Sequence, residues 1–514
     1  MTKQSFLQGT LILIMAGMIT RFLGFINRMV LARFLGEEGV GIYMMALPTL
    51  FLVMTLTQLG LPVAISKRVA EAEAKNDRVK VKKILTVSLI VTAVSSIVFT
   101  IGMIAFSPFV ASLTDKRTLY PLIAISPIIP ITAVSAVLKG YFQGKQNMKP
   151  QSYALVIEQV VRITSVALFI KLLLPYGIEY AAAGAMFSVI LGEFVSLLVM
   201  IQIFKRKKTI KIRYRFFTYL KASKHTLKEL FSIALPSTGS RLIGSFSNFL
   251  EPILVAQSLA IAGISSSLAT KQYGELTGFA LPLLFLPTFI TNSLSIALVP
   301  SISEADAKRH DRLIHYRIHQ SIRISFASGA LATIILTLFS VPILTYMYGT
   351  GNASKFLVLM APFYLLLYIQ APLQSALQAL DLARPAMWNS LIGAACKFTV
   401  LILLASNPNF GIMGVAIAMS ASVVLVTLLH LVSLNKAIRY AIPFKDVIKM
   451  IVLLVTTWFI GEFFKAIYQH MDPNILIFFL MLFVIGCLYI VLLFVLRFIT
   501  REELKQLPII QKWV

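Results

Sequence analysis

Residues 474–497 read NILIFFLMLFVIGCLYIVLLFVLR, an apolar run without a charged residue before Arg497. At 1.5 Å per residue, a helix of about 20 such residues crosses a hydrocarbon core of ~30 Å. Backbone amides find no water there, so the run must close its own hydrogen bonds as a helix. It lacks the alternation of a transmembrane barrel strand. Comparable runs occupy 6–33, 40–66, 84–107, 119–140, 151–172, 180–204, 229–251, 274–300, 321–347, 355–380, 386–404, 411–434 and 447–468, which with the first run predicts fourteen spans. The chain is 58% hydrophobic and 13% charged, with a mean hydropathy of +0.84. Soluble domains carry about 25% charged residues, so a soluble surface could not be built here. The expected fold is an all-α integral membrane protein of about fourteen transmembrane helices.

Lys and Arg number 47 against 21 Asp and Glu, a formal net charge of +26. Segments 67–83, 139–149, 205–228, 308–323, 384, 436–449 and 497–512, with Lys3, hold most of the basic residues. These are alternate loops, which the positive-inside rule assigns to the cytoplasm together with both termini. The excess charge then reflects topology and contact with anionic lipids at the cytoplasmic face, not nucleic acid. Residues 1–33, with Arg21 and Arg28, read as a retained helix and not as a cleaved signal. Cys396 and Cys487 lie in apolar runs and suggest neither a disulfide framework nor a metal site. The six histidines lack ligand spacing, and no GxxxxGK or HExxH motif occurs. No cofactor is implied and no enzyme is expected. Transport without an ATPase module would run on an ion gradient, a membrane potential, a substrate gradient or a partner.

The polar stretch 205–228 falls between the sixth and seventh spans, where a linker between two six-helix halves would lie. Leu61-Pro62-Val63-Ala64-Ile65-Ser66 and Leu298-Val299-Pro300-Ser301-Ile302-Ser303 each end a span and lead into a segment with acidic, Ala and basic residues. Pro150 and Pro385 repeat the pairing at the ends of spans four and ten, and Gly184-Ala185 and Gly414-Val415 open spans six and twelve. Six is an even number, so both copies enter from the same side as parallel repeats, an arrangement used by alternating-access transporters. The expected organisation is an N-terminal lobe at 1–204, a basic cytoplasmic linker at 205–228, a C-terminal lobe at 229–434, and two further helices with a cytoplasmic tail at 435–514. A central cavity between the lobes would open to either face as they rock.

Charges in hydrocarbon are costly and usually face a cavity or a partner. Arg21 and Arg28 are seven apart and share a helix face with Gly17 and Gly24. Neither has an acidic residue three or four positions away, and two guanidinium forks suit a diphosphate. Glu158 and Arg162 form an i,i+4 pair, acid first. Glu193 and Glu462 have no near-neighbour partner and read as interfacial or proton-carrying. Arg241 and Asn248 are again seven apart, with Glu251 just beyond; Glu275 adds a polar position to the eighth span, and Lys397 sits mid-span in the eleventh. Prolines within spans, among them Pro48, Pro127, Pro130, Pro236, Pro282, Pro287, Pro362 and Pro372, favour kinks.

Thr20-Arg21-Phe22-Leu23-Gly24-Phe25, Ala32-Arg33-Phe34-Leu35-Gly36, Gly39-Val40-Gly41-Ile42-Tyr43, Gly60-Leu61-Pro62 and Lys139-Gly140-Tyr141-Phe142-Gln143-Gly144 resemble the polysaccharide-transport branch of the multidrug/oligosaccharidyl-lipid/polysaccharide exporter superfamily. The likeness covers essentially the whole chain. It implies a cell-membrane flippase that moves a polyprenyl-diphosphate-linked saccharide outward, with lipid II for spore-cortex peptidoglycan as cargo and cell-wall synthesis proteins as possible partners. Measured against the lipid II flippases of this branch, Arg21 matches a cavity-facing arginine. Where they read Arg-Asp, this chain has Asn27-Arg28, which moves the second arginine about 100° around the helix. Their arginine in the second span falls near Leu52 and Val53, and that early in the eighth near Glu275 and Leu276. Arg28, Arg241 and Lys397 are the candidates to compensate as substrate-binding residues beside Arg21. Asn27, Glu158, Arg162, Glu193, Asn248, Glu251 and Glu275 are candidates for lining the cavity or coupling an ion. An exporter of another lipid-linked oligosaccharide, or of small drugs or cations, and a non-transporting wall-assembly scaffold stand as the alternatives.

Overall fold

The computed structural model describes residues 6–206, 224–470 and 474–498. Its described regular structure is helical throughout, without strands. Among the described residues, ten helices are long and apolar enough to cross a membrane, or twelve when two bent pairs are each counted as one span. The difference from fourteen lies at two places. Met15–Ala74 enters as one segment of 60 residues, and the helix that contains 229–251 is not among the ten.

The first of these has a local cause. Helix α1 (Phe6–Gln58) is interrupted at Gly36, whose φ of 68° and ψ of 179° leave the helical region. Glycine tolerates that backbone because it has no Cβ. Arg28 before the break lies within electrostatic reach of Tyr43 after it. The chain changes direction at Gly36, between these two residues. Pro48, in contrast, sits inside α1 without such a break. Pro127 and Pro287 do stand where helices change direction, immediately before the helices that begin at Ile128 and Thr288.

The chain packs as two units, Met1–Gly278 and Phe279–Val514. In unit 1, α1 is followed by α2 (Leu61–Ala74), α3 (Arg78–Leu113), α4 (Leu119–Ile125), α5 (Ile128–Gly144), α6 (Lys149–Leu173), α7 (Ile178–Arg206), α8 (Lys224–Ile261) and α9 (Ser266–Gly274). Asp77 caps α3, its carboxylate accepting from the Lys80 amide at 2.9 Å, which satisfies one of the free donors at a helix start. Leu61, Ile65, Ile84, Leu85 and Tyr141 form the buried apolar core of α2, α3 and α5. Helices α6 and α7 lie closely together, and α1 packs against α6. A Cβ at Gly192 of α7 would meet the Glu158 carbonyl of α6 at 2.9 Å, so glycine is what lets these backbones approach.

Unit 2 begins inside a π-helical stretch at 275–280. It contains α10 (Leu281–Leu284), α11 (Thr288–Ala307), α12 (Asp311–Leu338), α13 (Ser340–Tyr348), α14 (Ser354–Ala379), α15 (Ala383–Ala405), α16 (Ile412–Ile438), α17 (Phe444–Gln469) and α18 (Ile475–Val495). Helix α14 is central, with α11, α12 and α16 against it, while α17 joins through α12. Ile302, Ile318, Ile322, Leu373 and Leu453 belong to its buried core. The expected lobes divide at 205–228, most of which lies outside the described residues; by packing, α8 and α9 associate with α1 and fall in unit 1.

Candidate functional site

Helix α1 places Arg21 and Arg28 on one face, and both are uncovered by protein. Among the described residues neither forms an ion pair. Asn27 points the other way and is buried, its Oδ1 without a hydrogen-bond partner. It belongs to a polar seam between α1 and α6. A Cβ at Gly24 would lie 3.8 Å from Oε1 of Gln159, and that oxygen and Nε of Arg162 are also buried without partners. Arg28 and Arg162 both act electrostatically on the buried Tyr43 phenol. An unpaired buried polar atom costs roughly 1–3 kcal/mol. The seam therefore carries hydrogen-bonding capacity that folding alone does not use.

Behind the seam the charges are paired. Arg162 donates to Glu158 at 2.6 Å within α6, as the i,i+4 spacing predicts. Lys139 of α5 donates to Glu193 of α7 at 3.3 Å. Glu193 was expected to lack a near-neighbour partner in sequence; its partner lies 54 residues away and on another helix. For Glu462 the expectation of no near-neighbour partner is corrected: it meets Lys465 at 3.5 Å, three residues on and so on the same helix face. Glu158 and Glu193 lie within electrostatic reach of each other. A cavity of about 190 Å³ reaches Lys139 and Glu193 and is lined also by Gln58, Thr132, Gln143 and Gln151. Lys139 is a residue of this polar cluster that sequence reasoning does not single out. It closed the expected span 119–140, yet counted only as the start of a basic loop.

The remaining candidates fall elsewhere. Asn248 is exposed on α8, and Glu251, one turn on, is within electrostatic reach of the buried Tyr273. The side chain of Arg241 lies outside the described residues. Glu275 is buried and acts on Lys271, which pairs with Glu37 at 3.2 Å. Lys397 is half-buried on α15 in unit 2, with its ammonium 4.9 Å from the centre of the Phe398 ring. The structure thus brings together Glu158, Arg162 and Glu193 with Asn27 and Arg28 nearby, and leaves Lys397 in a different packing unit. Among the described residues no group of three His, Cys, Asp or Glu could hold a metal ion.

A second polar cluster ties α9 to the rest of unit 1. Arg117 donates to Asp115 at 2.7 and 3.1 Å and to Glu38 at 2.7 Å. Thr270 of α9 donates to Asp115 at 2.7 Å, and Ser267 to Glu38. Burial pushes the Asp115 carboxyl up, but the hydrogen bonds from Arg117 and Thr270 outweigh it and hold the group below its ordinary value. Here a Cβ at Gly41 would overlap the Thr270 carbonyl, and one at Gly274 would lie 2.6 Å from the Gly41 nitrogen. The cluster borders a cavity of about 520 Å³ lined by Lys116, Gln257 and Ser266 among others.

Against known proteins, residues 6–306 match the family model described as polysaccharide biosynthesis protein, and 276–403 match MatE. The chain is 52% identical to Stage V sporulation protein B of Bacillus subtilis (strain 168), with all of both chains covered. It is 23% identical to Lipid II flippase MurJ of the same organism over 77% of each. Among solved structures, one titled Lipid II flippase MurJ, inward closed conformation, aligns with a TM-score of 0.66 at 16% identity, covering 93% of this chain and 97% of that one. At that identity the structural likeness speaks for the fold: a multi-pass, all-α membrane protein.

Proposed function

Because this chain belongs to the polysaccharide biosynthesis protein family, we propose that it is a flippase moving a polyprenyl-diphosphate-linked saccharide, lipid II for spore-cortex peptidoglycan, outward across the cell membrane. The observation that carries this reading is the pair Arg21 and Arg28, uncovered on one face of a membrane helix and without carboxylate partners among the described residues. Guanidinium groups facing hydrocarbon are expensive, so such a face belongs to water or to an anionic ligand. Their planar donor forks match phosphate oxygens two at a time. A diphosphate offers enough oxygens for both arginines at once.

Translocation then needs few chemical steps. The headgroup enters the cationic face, where the diphosphate exchanges water for guanidinium donors, and the polyprenyl chain stays in lipid. The Stage V sporulation protein B relative supports a role in sporulation, and the Lipid II flippase MurJ relative supports lipid II as cargo. Both termini are assigned to the cytoplasm on the basis of the basic loops.

Native mass spectrometry of the purified protein with lipid II, polyprenyl monophosphate and an anionic phospholipid tests the reading. Lipid II should bind in preference to both competitors and lose that preference in Arg21→Ala/Arg28→Ala. Equal occupancy by all three lipids in the wild type would reject a diphosphate site, and a preference for small organic cations would favour a drug exporter.

A further inference from the structure

The cavity of about 190 Å³ stands where the chain interrupts a membrane span. Helix α1 ends at Gln58, Leu59 and Gly60 take positive φ values of 44° and 67°, and α2 begins at Leu61 with Pro62 in its first turn. Gln58 and Pro62, on either side of this break, both line the cavity. Transporters place binding groups at such broken helices, where polar groups are released from the helix itself. We propose that the cavity is a saccharide subsite that holds one sugar ring of the lipid-linked cargo, with Gln58, Lys139 and Gln151 donating and Gln143 and Glu193 accepting. The lipid-linked form of the cargo rests on the flippase reading; the affinity for a sugar does not.

The wall is built by one face of a helix. Thr132, Ala136, Lys139 and Gln143 of α5 line the cavity at the spacing i, i+4, i+7 and i+11. Beside this stripe two glycines let α2 come close: a Cβ at Gly140 would meet the Pro62 carbonyl at 2.8 Å, and one at Gly144 the Ser66 carbonyl at 2.7 Å. Leu61 and Ile65 of α2 are buried in the same core as Tyr141 of α5, which fixes the two helices together. Gln151 comes from α6 and is tied to α5 by the bond from Gln143 at 3.0 Å. The cavity is therefore shaped by packing before a ligand arrives, which lowers the cost of binding.

The polar groups select the ligand. Among the described residues the Gln58 amide has no hydrogen-bond partner. Gln143 donates to Oε1 of Gln151, which leaves the Gln143 oxygen free to accept and the Gln151 amide free to donate. Lys139 gives one N–H to Glu193 at 3.3 Å and keeps the others. Donors and acceptors thus share one small space, which suits hydroxyl and acetamido groups, since each of these both gives and takes a hydrogen bond. A phosphate only accepts, and it would meet the Glu193 carboxylate. An organic cation would find that carboxylate already paired with Lys139, and no aromatic ring among the described residues of the lining. Met54, Pro62 and Ala136 supply an apolar part of the wall for the C–H face of a ring. At about 30 Å³ per water, the volume of about 190 Å³ equals about six waters, the scale of one sugar ring and not of a whole headgroup. The diphosphate and the sugar would then be read by different residues of unit 1.

Native mass spectrometry of the purified full-length protein with polyprenyl diphosphate, bare or bearing one N-acetylhexosamine, separates the two parts. The sugar should raise binding several-fold in the wild type. That gain should vanish in Gln58→Leu, which removes a donor and an acceptor, and in Ala136→Leu, which fills the cavity and leaves every polar group in place. Binding of the bare lipid, which draws on Arg21 and Arg28, reports that each variant is folded. In Arg21→Ala/Arg28→Ala both lipids should bind more weakly while the gain from the sugar survives. No gain in the wild type, or a gain that persists in either Gln58→Leu or Ala136→Leu, would overturn the subsite. If the wild type bound bare polyprenyl diphosphate no better than an anionic phospholipid, the flippase reading would fall. Saturation transfer by NMR from the protein to free N-acetylglucosamine, present in the wild type and lost in Ala136→Leu, would still support the sugar site, and its absence from the wild type would overturn it.

Discussion

Replacing Lys139 by methionine keeps the volume of the side chain but leaves Glu193 buried beside a second carboxyl. The lost interaction can be sized from its geometry. At 3.3 Å and an effective dielectric constant of about 20, a pair of unit charges attracts by about 5 kcal/mol. Lys139 keeps about a quarter of its side-chain exposure, so water already screens part of this, and a net destabilisation of about 3 kcal/mol follows, within the range for breaking a buried pair. Glu193→Gln should cost only about 1 kcal/mol, because the ammonium it abandons can hydrate from the cavity. The double variant removes the charge and its partner together, so it should recover much of the loss, giving a coupling energy of about 2 kcal/mol in the double-mutant cycle. Unfolding of the four proteins in one mild detergent, followed by tryptophan fluorescence against denaturant, measures that quantity. A coupling energy below about 0.5 kcal/mol, comparable with ordinary non-additivity, would refute the pairing as an energetic feature of the fold.

Two further outcomes follow from α9. Gly274→Leu places a side chain where even a Cβ overlaps the Glu37 carbonyl, so α9 should lift from α1; with Cys396 and Cys487 replaced by alanine, a cysteine substituted for Ser267 should react several-fold faster with a membrane-impermeant maleimide, and an unchanged rate would contradict the close helix contact. Asp115 has a folded pKa below its unfolded value, so its contribution is complete above the unfolded value of about 3.9 and disappears as pH falls through the folded one. The difference in melting temperature between the wild type and Asp115→Asn should accordingly stay constant from about pH 8 to about pH 5 and shrink only below about pH 4; a difference that changes around neutrality would place the responsible group elsewhere.

The membrane-spanning character was legible because hydrophobic length is a local property, and 474–497 needs no neighbour to be read. The Glu158–Arg162 pair was legible for the same reason, as its spacing is one helical turn. Partners set by tertiary packing were not. Lys139 meets Glu193 across 54 residues, and Arg117 meets Glu38 across 79; no local spacing predicts either. The break in α1 shows a different limit. Pro48 was the visible helix-breaker, yet the interruption occurs at Gly36, because proline in a helix loses one hydrogen bond and can be tolerated, whereas a positive φ is reached cheaply only by glycine. For Arg21 and Arg28, sequence supplied the shared face and the structure added that the face is uncovered. It also added a buried Asn27 with an unsatisfied oxygen behind it.

The most direct test of a cationic face that carries a diphosphate is headgroup translocation of labelled lipid II in proteoliposomes, with wild type, Arg21→Ala, Arg28→Ala and the double variant reconstituted in equal amounts. Loss of a charged hydrogen-bonding group costs about 1.5–3 kcal/mol, so each single variant should be slower by roughly ten-fold or more and the double variant slower still. Equal rates in all four proteins would contradict the proposed role of Arg21 and Arg28.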